Sequence, residues 1–164
     1  MSAKVLAYDA LMWDNALATC QGKALRVTGY RRAFVGENTN RWGSPDHPCP
    51  QIGLLPGESC EAVLFELPRR SRRHILRNLR QREGTKAESI RFRSGNGTEI
   101  RAHSFLRPDS ARTWTDREAL VGALRAAKGY VGTGPEYIRA MIHAMDIWKI
   151  DDPLIREVWE EVRR

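Results

Sequence analysis

The chain has 164 residues, a length that fits one domain with a sizeable buried core. Its 41% hydrophobic and 29% charged residues are ordinary for a folded protein and argue against intrinsic disorder. The 27 Lys and Arg residues exceed the 20 Asp and Glu residues, which gives a formal net charge of +7. This excess of positive charge favours anionic ligands in general, but it indicates neither a fold nor a particular partner.

The sequence contains three cysteines, Cys20, Cys49 and Cys60, with neither CxxC nor CxxxC spacing. We interpret them as reduced thiols that form no disulfide framework and no structural zinc site. No apolar run approaches the roughly 20 residues that a membrane span requires. The N-terminus also lacks the charged and then apolar pattern of a signal peptide. We therefore expect a cytoplasmic protein without a membrane partner.

Strands dominate the first two thirds of the predicted structure. The segment Ala3–Trp13 predicts a short apolar strand that runs into a loop close to the N-terminus. The stretch from residue 36 to 51 is rich in Asn, Gly, Ser and Pro and is typical of a loop, and Pro56–Ser59 predicts a turn. The other predicted strands are Ala24–Val35, Ile52–Leu55, Cys60–Leu67, Lys86–Arg93 and Glu99–Leu106.

Helices are predicted for Ser71–Glu83 and for the last third of the chain. The first is strongly basic, carries one narrow apolar stripe and ends at Gly84. The spacing of Thr115 and Glu118 predicts a capping box for a helix to about residue 127. Further helices are predicted from Pro135 to about residue 147 and from Asp152-Pro153 onward. This pattern predicts one α+β domain over residues 1–164, a small and mostly antiparallel β-barrel with flanking helices.

Several common chemistries have no signature in this sequence. It lacks the GxSxG, Walker A and GxGxxG patterns, and its four histidines are scattered without metal-ligand spacing. The basic helix is a candidate for nucleic-acid binding, but no aromatic residue interleaves with its arginines and no RNA- or DNA-binding motif is present. We interpret it as a solvated helix face, so nucleic-acid binding stays a minor alternative.

Glu83 is a candidate for acid–base chemistry because it lies at the predicted end of a helix, just before Gly84. The negative end of the helix dipole disfavours a carboxylate, so we expect its pKa to be raised towards neutrality. Such a carboxylate suits a general base that works near pH 7. Taken alone, a glutamate in this position is more often an ordinary surface residue.

Several segments together resemble the ChaC branch of the γ-glutamylcyclotransferase fold. They follow the family's order over nearly the whole chain, and the GYRRxF segment is the most specific of them. The matching segments are Tyr8–Trp13 for the YGSLxW loop, Gly29–Phe34 for GYRRxF, Trp42–Pro48 for the RGTPExPG loop, Leu55–Gly57 with Cys60 for the LxPG and CxG strands, Leu79–Glu83 for LxxRE, and Gly132–Ile138 for the late GxxxEYL helix start.

The resemblance implies a six-stranded β-barrel and a lyase reaction without metal or cofactor. In that reaction the α-amine of a γ-glutamyl group attacks its own γ-amide, which forms 5-oxoproline and releases an amine, or Cys-Gly when the substrate is glutathione. Glu83 is implied as the general acid/base. Tyr8, Asp9, Ala10 and Leu11 are implied as the substrate-binding loop, and Tyr137 as a pocket wall. Tyr30, Arg31 and Arg32 are interpreted as ordinary strand positions, since alternate residues face opposite sides.

This chain departs from the family motif in the loop, where Asp9-Ala10 replaces Gly-Ser. Asp9 adds a negative charge where a substrate carboxylate is expected, and Ala10 lacks a hydroxyl donor. We hypothesise that Asp9 selects a substrate that presents a cation at this point. The alternative is a catalytically degenerate member of the fold that binds a small molecule.

Overall fold

The structure is a computed structural model that describes residues 2–164. The strands are β1 (Ala3–Ala7), β2 (Gln21–Asn38), β3 (Cys49–Leu67), β4 (Glu88–Ser94) and β5 (Glu99–Ser104). The α-helices are α1 (Arg72–Glu83), α2 (Arg117–Ala126), α3 (Gly134–Trp148) and α4 (Pro153–Val162). Two short 3-10 helices, Ala10–Trp13 and Asn15–Leu17, lie between β1 and β2.

The five strands form a closed barrel in the order β1-β3-β2-β4-β5. Strand β1 runs antiparallel to β3, with Ala3 opposite Leu67, and parallel to β5, with Val5 opposite His103. The other pairing that involves β5 is the antiparallel β4–β5 hairpin, with Glu88 opposite Ser104. This mixture of a mostly antiparallel barrel and four α-helices confirms the predicted α+β class.

The barrel has five strands, whereas the resemblance implied six. The predicted strands Ile52–Leu55 and Cys60–Leu67 are one continuous strand, and the turn predicted at Pro56–Ser59 is absent from β3. A Cβ added to Gly57 would lie only 2.5 Å from Cγ of Arg31. The glycine therefore lets the Arg31 side chain lie directly against β3, in the segment where the sequence predicted a turn.

The barrel interior is filled by side chains of the inward-facing strand positions. Because side chains alternate along a strand, one set of positions in each strand points into the barrel. Leu6, Val27, Phe92 and Ala102 are members of this set, and all four are almost completely buried. A small barrel of this kind has a packed interior and not an open channel.

The ends of helices α1 and α4 follow the signals in the sequence. Helix α1 ends at Gly84, which takes the left-handed conformation (φ +67°) that glycine adopts without strain. Asp152 caps α4 by accepting a hydrogen bond from the backbone N–H of Leu154, with Pro153 in the first turn. Both predicted boundaries are confirmed.

The capping box predicted at Thr115 and Glu118 is wrong. Asp116 caps α2 instead, because its carboxylate accepts a hydrogen bond from Ala119 N–H at 3.1 Å. A reciprocal box does occur at α3, where Glu136 accepts from Thr133 N–H at 2.7 Å and Thr133 Oγ1 accepts from Glu136 N–H at 3.2 Å. The hydrogen bond from the Thr133 backbone lowers the pKa of the Glu136 carboxyl.

The chain divides into two compact units. The first comprises the chain up to Arg31, Leu55–Leu106 and Trp148–Ile150, and the second comprises Arg32–Leu54, Arg107–Ile147 and Asp151–Arg164. The prediction of one domain over residues 1–164 stays a prediction. Within the described residues 2–164, no helix has the length and apolar character needed to cross a membrane.

A buried ion pair joins the start of α4 to strand β2 within the second unit. Nη1 of Arg32 lies 2.8 Å from Oδ2 of Asp152, and the two side chains are 0% and 11% exposed. A charge in such surroundings is costly unless it is paired. Arg32 therefore has a structural role, in agreement with its interpretation as a strand position.

We expect Asp152→Ala to lower the free energy of unfolding by about 3–5 kcal/mol, because it leaves Arg32 buried without this partner and also removes the α4 cap. The adjacent Asp151→Ala is the matched control. Asp151 pairs with Arg156 at an exposed site, so its loss should cost under about 1 kcal/mol. Urea unfolding of the two variants measures the difference, and equal costs would contradict the structural role of the buried pair.

Candidate active site

The loop after β1 and the residues before β4 meet at the same end of the barrel. Tyr8 directly follows the last residue of β1, which runs parallel to β5. The last residue of β5, Ser104, is opposite Glu88, the first residue of β4. Glu83 precedes Glu88 by five residues. The strand register therefore places the start of the Tyr8–Leu11 loop at the same end of the first unit as the start of β4, which follows Glu83 by five residues.

Two long-range hydrogen bonds fix the loop to this end of the barrel. The Tyr8 hydroxyl donates to the carbonyl of Phe105, just after β5, at 2.5 Å. The indole N–H of Trp148 donates to the carbonyl of Met12 at 3.1 Å. Tyr8 is buried, so the hydrogen bond of its hydroxyl fixes the start of the loop from within the protein interior. The loop is thus held at both its beginning and its end.

Asp9 and Leu11 are buried, and Ala10 is partly exposed. Asp9 is only 7% exposed. Its backbone carbonyl accepts a hydrogen bond from Met12 N–H at 2.8 Å. Asp9 has a φ of −142°, outside the positive range that favours glycine. The replacement of the family's glycine by Asp9 therefore requires no left-handed backbone, and its consequence is the buried carboxylate.

Glu83 is the last residue of helix α1. Ile75 and Leu79 are the buried apolar residues of α1, and the helix ends at Gly84 in the left-handed conformation. The basic residues of the last turn, Arg80 and Arg82, suit the negative end of the helix dipole. The Glu83 side chain is partly exposed. A partly exposed carboxylate at the barrel end is accessible to a ligand.

An ion pair between Arg82 and Asp14 ties the end of α1 to the loop region. Asp14 follows the first 3-10 helix and caps the second by accepting from Ala16 N–H at 2.7 Å. Helix α1 also contacts this second 3-10 helix. The sequence analysis did not predict this pairing of Arg82 with Asp14. Two features of the sequence could have indicated it: Asp14 precedes a short helix, and Arg82 is next to Glu83 in the LxxRE motif.

Tyr137 belongs to the second unit and is buried there. Its hydroxyl accepts a hydrogen bond from the backbone N–H of Ile52 at 3.0 Å, and its ring centroid lies 5.6 Å from that of Trp42. These contacts give Tyr137 a packing role in its own unit. Its assignment as a pocket wall stays a prediction.

Ser104 is a further polar residue at the loop end of the barrel. It is fully buried, and its hydroxyl has no hydrogen-bond partner within the part of the chain that the structure describes. A buried hydroxyl without a partner lowers stability, because it has lost its hydrogen bonds to water and gained none in return.

We expect Ser104→Ala to raise the free energy of unfolding by about 1 kcal/mol, since it removes the unsatisfied hydroxyl and leaves the backbone pairing with Glu88 intact. Thermal unfolding should show a higher melting temperature. Ser89→Ala on β4, where the serine is exposed, is the control and should change stability by less than about 0.5 kcal/mol. A loss of stability in Ser104→Ala would show that this hydroxyl has a partner.

Comparison with known proteins matches residues 3–164 to the model of the ChaC-like protein family. The chain belongs to the ChaC-like family. No curated protein sequence shows significant similarity to it. This membership confirms the resemblance seen in the sequence motifs.

Solved structures share the fold at low sequence identity. Two crystal structures of a yeast γ-glutamylcyclotransferase specific to glutathione superpose with TM-scores of 0.87 and 0.81. They are 13% and 12% identical, and the matches cover 99% of this chain and 96% and 98% of theirs. YkqA from Bacillus subtilis matches with a TM-score of 0.59 and 14% identity, over 99% of this chain and 54% of its own. The family and the fold together support an enzyme of the γ-glutamylcyclotransferase class.

Proposed function

We propose that this ChaC-like protein is a lyase that cyclises a γ-glutamyl group to 5-oxoproline and releases the attached amine or peptide. The proposal is supported by the strand register, which places the start of the Tyr8–Leu11 loop and the start of β4 at one end of the barrel, and by the Arg82–Asp14 ion pair, which joins the residue next to Glu83 to the segment after the loop. The three cysteines form no disulfide with each other, which is consistent with a reducing cytoplasm as the site of the reaction.

In the proposed reaction, Glu83 takes a proton from the substrate's α-ammonium group. The neutral amine attacks the γ-carbonyl carbon, so a new C–N bond closes the five-membered ring. The bond from that carbon to the leaving nitrogen then breaks as Glu83 returns the proton to this nitrogen, and the second proton that the ring nitrogen loses passes to the released amine, which leaves as an ammonium ion. Because the nucleophile and the carbonyl belong to one molecule, the protein mainly has to hold the bent conformer and move the proton.

The backbone N–H groups of the loop are the proposed partners of the developing oxyanion or of a substrate carboxylate. The loop continues into the 3-10 helix Ala10–Trp13. The first N–H groups of any helix have no acceptor within that helix, so they are available to an anion. The anchors at Tyr8 and Trp148 keep this backbone in place before the substrate arrives.

The charge of Asp9 affects which substrate we propose for the site. Asp9 is only 7% exposed, so solvent and salt screen its carboxylate less than they would screen a carboxylate on the surface. A buried carboxylate of this kind would repel the carboxylate of an anionic peptide more strongly than a surface carboxylate would. It would attract a cation for the same reason. We therefore propose γ-glutamyl compounds whose leaving amine carries a positive charge, such as a γ-glutamyl diamine, as substrates preferred over glutathione.

Replacement of the proposed base tests the reaction. Glu83→Gln keeps the size of the side chain but removes its proton-transfer capacity, so 5-oxoproline release from the best substrate should fall by about 100-fold or more. Glu88→Gln is the matched control, because Glu88 is an exposed carboxylate at the same end of the barrel. It should retain activity close to that of the native protein.

Two outcomes would contradict the proposal. Equal losses of 5-oxoproline release in Glu83→Gln and Glu88→Gln would show that Glu83 is not the base. Thermal stabilisation of the native protein by a γ-glutamyl compound without any 5-oxoproline release would instead indicate the alternative, a binding protein that has lost catalysis.

The role of Asp9 has its own test. Asp9→Gly combined with Ala10→Ser restores the family motif, and it should raise kcat/KM for glutathione and lower it for a γ-glutamyl diamine. Removal of one partly desolvated like charge predicts a change of about tenfold in each direction. Asp9→Asn separates charge from backbone effects, since it removes only the charge. If neither variant changes the ratio of the two kcat/KM values, Asp9 does not select the substrate.

A further inference from the structure

A cavity lies at the opposite end of the barrel from the Tyr8 loop, where β1 begins. It has a volume of about 780 Å³ and lies entirely within the first unit. Lys4, at the start of β1, is opposite Glu66, near the end of β3, and both line it. The start of β2 and the β4–β5 hairpin complete its wall. Its volume falls in the range of small-molecule sites.

The cavity is the mouth of the barrel and is separate from the candidate active site. Lys4 and Leu6 share the inward face of β1, since alternate residues point to the same side. Leu6, Val27 and Phe92 are almost completely buried and fill the barrel beyond the mouth. A ligand in the mouth therefore has a packed layer of side chains between it and the loop that begins at Tyr8.

The charged side chains of the mouth have no hydrogen-bond or ion-pair partner among the residues that the structure describes. No hydrogen bond or ion pair involves the side chains of Lys4, Lys23 or Glu66 anywhere in residues 2–164. Two ammonium groups thus face one carboxylate, which leaves one net positive charge at the mouth. Neutral polar side chains add further hydrogen-bonding groups, and they are Gln21, Ser94, Asn96 and Thr98.

The mouth also has an apolar surface, formed by Leu25, Leu64 and Ile100. A site of this composition suits a ligand with both a charged head and an apolar body. A simple inorganic anion would leave the apolar surface unused, and a hydrocarbon would leave the lysines unused.

The charge of the whole first unit favours an anion. It contains 16 Lys and Arg residues against 8 Asp and Glu residues, whereas the second unit contains 11 against 12. All of the net positive charge of the chain therefore resides in the unit that contains the mouth. This net positive charge favours the approach of anions to the unit in general, and Lys4 and Lys23 are its basic residues at the mouth.

We propose that the barrel mouth binds a small organic anion with an apolar body, of the monocarboxylate class, with Lys4 and Lys23 holding the carboxylate and Leu25, Leu64 and Ile100 contacting the apolar part. This site is independent of the proposed lyase chemistry. It gives the protein a second ligand at the end of the barrel remote from Glu83.

Octanoate is a suitable probe, with octylamine and octanol as matched controls of opposite and zero charge. Calorimetry and thermal shift should show that the native protein binds octanoate more tightly than either control. The double variant Lys4→Gln with Lys23→Gln should weaken octanoate binding by about tenfold or more, as the loss of both positive charges predicts. Glu66→Gln should strengthen it, because it removes the only negative charge of the mouth. Lys86→Gln, an exposed lysine outside the cavity, should change nothing.

Three results would overturn the proposal: octylamine binding as tightly as octanoate, no octanoate binding to the native protein, or equal weakening by Lys86→Gln and by the double variant. The Glu83→Gln protein separates this site from the proposed active site. Octanoate should bind to it unchanged, whether or not the native protein releases 5-oxoproline. Loss of octanoate binding in Glu83→Gln would locate the ligand at the other end of the barrel and also overturn the proposal.

Discussion

Closure of the barrel by β1 is the constraint on which the candidate site depends. This five-residue strand pairs with β3 on one side and with β5 on the other. The two pairings fix where its C-terminal end lies, and therefore where the Tyr8 loop begins. Because the β4–β5 hairpin starts and ends at the same edge, Glu83 is held at that end as well. Two segments more than 70 residues apart in the sequence thus lie towards the same end of the barrel.

The two ends of the barrel differ in chemistry because the inward face of each strand changes along its length. Lys4 lines the mouth, Leu6 belongs to the packed interior, and Tyr8 anchors the loop at the far end. One strand therefore contributes to a charged opening, to the core and to the candidate active site. The packed layer between the ends stabilises the barrel, and it also separates the mouth from the loop that begins at Tyr8.

Local signals in the sequence were sufficient to predict the ends of α1 and α4, since Gly84 and Asp152-Pro153 act through their nearest neighbours. Signals that depend on distant residues were not. The Arg31 side chain lies directly against Gly57 of the continuous strand β3, and the Arg82–Asp14 ion pair joins residues that are 68 positions apart. The candidate site was predicted from the resemblance to a family, because no residue pattern by itself distinguishes Glu83 from a surface glutamate.

The most direct test of the central claim is to quantify both products of one reaction at the same time. The native protein is incubated with a γ-glutamyl compound, and 5-oxoproline, free glutamate and the released amine are measured together. Cyclisation predicts equal amounts of 5-oxoproline and amine, because the substrate's own nitrogen displaces the leaving group. Free glutamate in place of 5-oxoproline would show that water is the nucleophile, and it would contradict the account.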